Sequence, residues 1–143
     1  MSQTSSTRGH WIVAIGAVVI VGAALLQWWQ IGGGPGELPE RNGTGIADGR
    51  VFLMFVAAVV TLLLATLPFA SERPIAIDHP LAYLALFTIL LGAYAWRVVT
   101  MVQGSLVPLP PQRGFGFWLA AVGLVMFSRG VFEMFEERRR RLY

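Results

Sequence analysis

Residues 115–135 read FGFWLAAVGLVMFSRGVFEMF. Only Arg129 and Glu133 carry a charge in this run, and the rest is almost entirely apolar or small. Because about 20 such residues cross the hydrocarbon core of a bilayer as a helix, the run predicts a transmembrane span. Three further runs of this kind occupy residues 11–29, 51–70 and 81–102. Lipid cannot pair with backbone N–H and C=O groups, so the sequence predicts an all-α fold, an integral membrane four-helix bundle with short connections.

The composition supports a membrane class. Of the 143 residues, 55% are hydrophobic and only 13% are charged, whereas soluble domains carry about 25% charged residues. A soluble globular enzyme is therefore excluded, and the absence of Cys excludes thiol redox chemistry and disulfides. The connections are polar, rich in Gly and Pro and too short for a second domain, so we expect one domain over residues 1–143.

The distribution of arginine predicts the orientation. All 11 basic residues are Arg, and scattered arginines beside apolar runs indicate membrane topology rather than nucleic-acid binding. The side that holds both termini carries six of them, and the other side carries Arg41, Arg50 and Arg113. The positive-inside rule then predicts that both termini are cytoplasmic. The six are Arg8, Arg73, Arg138, Arg139, Arg140 and Arg141.

Small residues recur on one face of the predicted helices. In the fourth span the spacing alternates between four and three residues, which suits left-handed bundle packing. We expect these faces to pack inside the bundle, with docking of another protein, foremost on the fourth span, as the alternative. The fourth-span stripe is Gly116, Ala120, Gly123, Phe127 and Gly130, the second-span stripe is Ala58, Thr61, Ala65 and Pro68, and the third-span stripe is Ala82, Ala85, Ile89, Gly92 and Trp96.

Aromatic residues fall near the predicted helix ends, where amphipathic rings prefer the headgroup level. We therefore expect a membrane-interface belt, with an aromatic ligand pocket as the alternative. The residues concerned are Trp11, Trp28, Trp29, Tyr83, Trp96 and Trp118.

Chemically useful groups are scarce. The predicted spans contain no His and no Asp, and Glu133 is their one carboxylate. His10, Asp78 and His79 follow no metal-binding spacing and are expected at the surface. The sequence thus predicts no enzyme activity and no cofactor.

Arg97 is the strongest candidate for a binding site. It lies about 9 Å inside the predicted outer end of the third span, at 1.5 Å per residue, where a charge must snorkel or find a partner. We expect either a structural role or contact with an anion or a lipid headgroup. Trp28, Trp29 and Trp96 are expected at a similar height, and Asp48, Glu37 or Glu40 offers a counter-charge.

Charged pairs mark the end of the fourth helix. Arg129 precedes Glu133 by four residues, so both lie on one helix face. The same spacing joins Glu136 to Arg140 and Glu137 to Arg141, which predicts a charged helical extension beyond the membrane. The cluster Arg138, Arg139, Arg140 and Arg141 is expected to anchor the chain at cytoplasmic lipid or, alternatively, to contact an acidic partner.

The exit of the first span carries a resemblance to a known group of proteins. Residues 25–29 read LLQWW, and a Gly-rich connection ends in residues 45–50, GIADGR. This arrangement resembles small uncharacterised four-pass membrane proteins of actinobacteria and related bacteria. The resemblance implies a bacterial cytoplasmic (inner) membrane protein, and it implies no activity and no catalytic residues.

The sequence therefore favours a non-catalytic accessory or assembly subunit of a membrane complex, or a homo-oligomer. Its expected partners are the lipid bilayer and another membrane protein or itself, with no nucleic acid. One alternative is a subunit of an oligomeric small-molecule transporter or channel, although polar groups for a path are few. The other is a lipid-binding protein or enzyme that uses the outer-leaflet Arg97 site. The candidates for a polar path are Thr61, Thr66, Thr88, Arg97 and Ser128.

Overall fold

Four long helices form the body of the protein. The structure is a computed structural model, and it describes residues 3–31, 41–44, 49–70, 80–103 and 115–143. Helix α1 spans Gln3–Leu25, α2 spans Gly49–Ala70, α3 spans Pro80–Gln103 and α4 spans Phe115–Leu142. All four are long and apolar enough to cross a membrane. The predicted four-helix bundle is confirmed, and the chain has the character of a small multi-pass membrane protein.

The helix ends follow local chemistry. Helix α3 begins at Pro80, a residue that suits the first helical position because its missing N–H would have no partner there. Helix α4 continues past the predicted end at Phe135 to Leu142, and Arg139–Arg141 lie in its last turn. Arginines at this end complement the partial negative charge of the helix carboxyl terminus. The extension beyond the apolar run thus has the predicted helical form.

The helices pack in the cyclic order α1–α2–α3–α4. Helix α1 makes its most extensive contact with α4 and a smaller one with α2, and the contact between α3 and α4 is the smallest of the four. The beginning of α1 lies beside the end of α4, since Gly9 faces Gly130 and Met134. The amino-terminal end of α1 and the carboxyl-terminal end of α4 therefore lie at the same end of the bundle, and the two helices run antiparallel.

The α1–α4 contact is built on small residues spaced by seven along each helix. At each level a small residue of one helix approaches the backbone of the other. A Cβ added to Gly130 would stand 2.8 Å from the Val13 amide nitrogen and 3.1 Å from the Gly9 carbonyl oxygen. The absence of side chains on both surfaces lets the two backbones meet, as small-residue interfaces do in membranes. The facing pairs are Gly9 with Gly130, Gly16 with Gly123, and Ala23 with Gly116.

A β-hairpin follows α1, which the sequence analysis did not predict. Strand β1 spans Gln27–Ile31 and strand β2 spans Arg41–Thr44, and they pair antiparallel with an irregularity between Gln27 and Trp29. Helix α1 consequently ends at Leu25, so residues 26–29 of the predicted first span lie outside the helix. Their backbone groups can leave the helix because strand pairing offers an alternative set of hydrogen bonds.

The interior of the bundle is mostly aliphatic and aromatic. Phe127 of α4 is fully buried and stacks on Phe87 of α3, with ring centroids 5.9 Å apart. Thr61 is the buried polar residue of the described core, and its hydroxyl donates to the Ala57 carbonyl at 2.8 Å. A hydroxyl satisfied within its own helix can be accommodated in an apolar interior.

Candidate functional site

Within the described ranges, no group of three His, Asp or Glu side chains is arranged to hold a metal ion. The functional residues proposed from the sequence lie at the two ends of the bundle and on the faces of its helices. One end contains Arg97 and the hairpin, and the opposite end contains the ionic groups of α1 and α4. We describe the ends first.

Arg97 is half-buried in α3, six residues before the carboxyl end of the helix at Gln103. Its Nη1 lies 3.5 Å from Thr100 Oγ1, which itself donates to the Arg97 carbonyl at 2.8 Å. The guanidinium is thus turned along its own helix toward the end of α3. The acidic residues expected as its counter-charge, Asp48, Glu37 and Glu40, lie outside the described residues.

Trp96 neighbours Arg97 in the chain but faces outward, with 61% of its surface exposed. The guanidinium carbon of Arg50, at the start of α2, lies 5.5 Å from the centroid of the Trp96 ring. This is the distance of a cation–π contact. The end of the bundle near Arg97 therefore carries two arginines and an exposed indole. Sequence analysis used Arg50 only to predict the orientation and did not select it as a site residue.

Trp28 departs from the membrane-belt expectation. It is only 1% exposed, and its indole N–H donates to the Ala23 carbonyl at 2.8 Å. Its ring packs edge-on against Tyr94 and Phe117, with both centroid distances at 6.0 Å. Trp28 attaches the hairpin to the bundle, because the bulged strand turns its side chain inward and Gly116 leaves room for it. The side chain of Trp29 lies outside the described residues.

Of the other residues predicted for the membrane-interface belt, one is buried and two are exposed in addition to Trp96. Tyr83 is fully buried, contrary to expectation, and it meets the His10 ring edge-on at 5.6 Å. Burial is possible because the start of α3 lies against the start of α1 at this point. Trp11 and Trp118 are 59% and 48% exposed, so both can reach the surrounding lipid or headgroups.

The small stripe of α4 lies inside the bundle. Gly116, Ala120, Gly123 and Gly130 are all buried, and the three glycines face α1. A partner protein has no access to this face while α1 covers it. The alternative assignment of a docking surface to the fourth span therefore does not fit the structure.

The predicted small stripe of α3 lies mostly outside, since Ala85, Ile89, Gly92 and Trp96 are exposed and Ala82 is half-buried. In the apolar 18-residue stretch that could cross a membrane, only 17% of the residues of α3 are buried, against 44% of those of α4. Apart from its chain neighbours and the adjacent backbone of α3, no described atom lies within 4 Å of the place where a Cβ on Gly92 would stand. The outward face combines small residues with apolar ones at alternating spacings of four and three. This face, called the α3 stripe below, shares only Ala85 and Gly92 with the predicted stripe. It comprises Leu81, Ala85, Thr88, Gly92, Ala95, Val99 and Val102, all exposed.

The opposite end of the bundle is ionic. The Glu133 carboxylate forms two ion pairs. Its Oε1 lies 3.5 Å from Nε of Arg129 on the same helix, and its Oε2 lies 3.8 Å from Nε of Arg8 on α1. Two guanidinium groups therefore share one carboxylate across the α1–α4 interface. The spacing in α4 predicted the contact of Arg129, whereas the contact of Arg8 depends on how the two helices approach each other.

The charged extension of α4 contains the two other predicted pairs. Arg140 Nη2 lies 2.7 Å from Glu136 Oε1, and Arg141 Nη2 lies 3.5 Å from Glu137 Oε1. Arg138 and Arg139 are exposed beside them. This extension presents more positive than negative charge, which suits an anionic surface.

The small faces of α1 were missed by sequence analysis. Gly9, Gly16 and Ala23 recur at intervals of seven, as do the three glycines of α4. The shared interval was a readable signal that the two helices are partners.

Comparison with known proteins finds no matching protein family, no matching curated protein and no matching solved structure.

Proposed function

We propose that this protein is a non-catalytic accessory or assembly subunit of a membrane complex, and that it binds its partner through the outward face of α3. The observation that carries the proposal is the exposed stripe of Ala85, Thr88, Gly92 and Ala95. In this proposal the chain lies in a bacterial cytoplasmic membrane with both termini inside, an orientation that the arginine distribution supports.

The physical argument rests on what small residues contribute in lipid. Association of transmembrane helices depends on close packing and not on hydrophobicity, because lipid tails are as apolar as leucine. A small residue that faces lipid gains no such packing. The same residue beneath another helix lets two backbones approach. The exposed stripe is therefore better explained by a helix that covers it than by lipid.

The chain itself contains an example of this packing. The α1–α4 interface uses small residues on matching faces, with glycine backbones in contact. The α3 stripe repeats the alternating spacing of four and three residues, but no described helix covers it. Thr88 adds little polarity to the stripe, since its hydroxyl donates to the Leu84 carbonyl at 2.9 Å.

A matched pair of substitutions tests the proposal. Gly92→Leu places a large side chain in the stripe, while Gly22→Leu makes the same change in α1. Apart from the chain neighbours and adjacent backbone of the same helix, no described atom lies within 4 Å of a Cβ at either position, so both variants should fold. The protein is purified in mild detergent from its native membrane, and its assembly is measured by native electrophoresis, with Thr88→Cys cross-linking to locate the contact.

We expect the wild type and Gly22→Leu to remain in a larger assembly cross-linked at position 88, and Gly92→Leu to separate from it. Cross-links to a different protein identify an accessory subunit, and cross-links to a second copy identify a homo-oligomer. An assembly that is unchanged in Gly92→Leu would contradict docking through α3.

A further inference from the structure

A lateral groove lies between α1 and α2, close to the ionic end of the bundle. Its cavity volume is about 240 Å³. Three residues of each helix line it, namely His10, Trp11 and Ala14 from α1, and Leu62, Ala65 and Thr66 from α2. The groove lies on a different pair of helices from the α3 stripe, so nothing in the proposed function accounts for it.

The groove opens toward the surroundings of the bundle. Trp11 and Thr66 on its rim are exposed, whereas Ala65 on its floor is buried. The Thr66 hydroxyl donates to the Leu63 carbonyl at 2.9 Å, and this internal bond leaves an essentially apolar wall. In a membrane-spanning bundle the molecules that reach such an opening are lipids.

The size of the groove restricts its occupant. Sites for drug-sized molecules measure about 300–1,000 Å³, and this groove is smaller. A flexible hydrocarbon segment can follow a narrow cleft between two helices, whereas a rigid polycyclic molecule cannot. The two alanines of the lining provide the width for such a segment.

Positive charge at the same end of the bundle as the groove indicates the headgroup. Arg8 lies one helical turn before Trp11 on the same face, and 72% of its side chain is exposed. Its carboxylate partner, Glu133, is shared with Arg129, so positive charge remains at this point. The described residues of this end comprise six arginines and three glutamates, namely Arg8, Arg129, Arg138, Arg139, Arg140 and Arg141, and Glu133, Glu136 and Glu137.

We propose that the groove binds one anionic phospholipid, with an acyl chain between α1 and α2 and the phosphate beside Arg8. His10 and Trp11 lie where chain and headgroup meet. Arginine suits this role because its planar fork can contact two phosphate oxygens together.

A cross-linking map on the unmodified protein tests the location. The protein is reconstituted in bilayers of phosphatidylglycerol and phosphatidylcholine with identical chains, and either lipid carries a photoactivatable group in one chain. We expect phosphatidylglycerol cross-links to concentrate on residues 10–14 and 62–66. Cross-links spread evenly over the exposed faces of all four helices would overturn the proposal.

Four variants test the chemistry by native mass spectrometry of retained lipid. Ala14→Leu fills the groove and should remove the one lipid bound there, whereas Ala121→Leu, a matched change at a half-buried alanine of α4, should retain lipid as the wild type does. Arg8→Gln should lower the preference for phosphatidylglycerol about fivefold, as expected for one arginine near an anionic surface. Arg139→Gln removes the same charge from the same end, away from the groove, and should leave the preference unchanged.

The proposed lipid site would be wrong if Ala14→Leu retained as much lipid as the wild type. It would also be wrong if Arg8→Gln and Arg139→Gln changed the preference for phosphatidylglycerol equally. Neither outcome bears on docking through α3. The cross-linking map gives its answer even where a variant fails to fold.

Discussion

Gly16 of α1 and Gly123 of α4 oppose each other so closely that each carbonyl oxygen occupies the space beside the other residue's missing Cβ. A Cβ on Gly123 would stand 3.1 Å from the Gly16 oxygen, and a Cβ on Gly16 would stand 3.0 Å from the Gly123 oxygen. The two backbones are therefore in contact at this level. Glycine at these positions serves the close approach of the helices, and side chains there must separate them.

Substitution of Gly123 should lower stability in proportion to the added volume. We expect Gly123→Leu to lower the free energy of unfolding by about 1–3 kcal/mol or more, the usual range for overpacking. Gly123→Ala should lower it less, because its nearest neighbour is the movable Ile20 Cγ1 at 2.7 Å. Thermal unfolding in detergent measures both, with Gly22→Ala as a control that should be neutral or stabilising. Equal midpoints for Gly123→Leu and wild type would contradict this packing.

Alanine at position 16 should be more harmful than alanine at position 123. A Cβ on Gly16 would lie 2.9 Å from the Phe127 backbone nitrogen, and backbone inside a helix cannot move aside alone. We therefore expect Gly16→Ala to have the lower melting temperature of the two alanine variants. The reverse order would mean that α1 shifts more readily than the Ile20 side chain.

The indole N–H of Trp28 should contribute the energy of one buried hydrogen bond. Trp28→Phe keeps an aromatic ring beside Tyr94 and Phe117 but loses the donor to the Ala23 carbonyl. That carbonyl also accepts the Leu26 N–H at 3.2 Å, so no buried acceptor is left empty. We expect a loss of about 1 kcal/mol in unfolding free energy. Trp96→Phe, at a ring that is 61% exposed, is the control, and an equal effect there would show that the Trp28 N–H adds nothing.

Arg97 should distinguish a two-pronged anion contact from simple snorkelling. We expect Arg97→Lys to insert and fold but to retain less anionic lipid or partner, and Arg97→Leu to lose that contact, because lysine lacks the planar fork. The measurement is native mass spectrometry in an Ala14→Leu background, which blocks the groove at the other end. Identical retention in all three proteins would leave Arg97 with a structural role only.

The orientation in the membrane can be measured by cysteine labelling, since the chain has no native Cys. Single cysteines replace Ser5, Gly43, Ile75 and Pro110. From outside intact cells we expect labelling at positions 43 and 110 alone, because the side with the termini carries more arginine. Labelling at 5 and 75 alone would reverse the assignment.

The spans were predictable because bilayer thickness imposes a length on every apolar run. The extension of α4 was predictable because Glu–Arg pairs four residues apart favour a helix. Such arguments use one helix at a time. They could not choose which helix covers the Gly123 face, since that depends on the relative rotation of α1 and α4. The matching interval of seven in Gly9, Gly16 and Ala23 would have indicated α1.

The hairpin and the environment of Arg97 were harder to predict. Strands as short as Gln27–Ile31 and Arg41–Thr44 hold too few residues for alternation to distinguish them from a loop. The contact of Arg50 with Trp96 joins the start of α2 to the end of α3 and requires a known helix arrangement. Trp28 lies in the irregular part of strand β1, and no composition rule says that its ring turns inward there.

The most extensive helix contact joins α1 to α4, the two described helices that lie farthest apart along the chain. Until α4 enters the membrane, the glycine face of α1 has no partner, although α2 can already pack on its other side. Assembly of the bundle must therefore wait until α4 has been made, as expected for folds dominated by contacts between distant parts of a chain. A chain that stops before residue 115 would lack α4 and would present Gly9 and Gly16 to lipid. Its three inserted helices would be an incomplete bundle, the kind of substrate that quality-control proteases degrade.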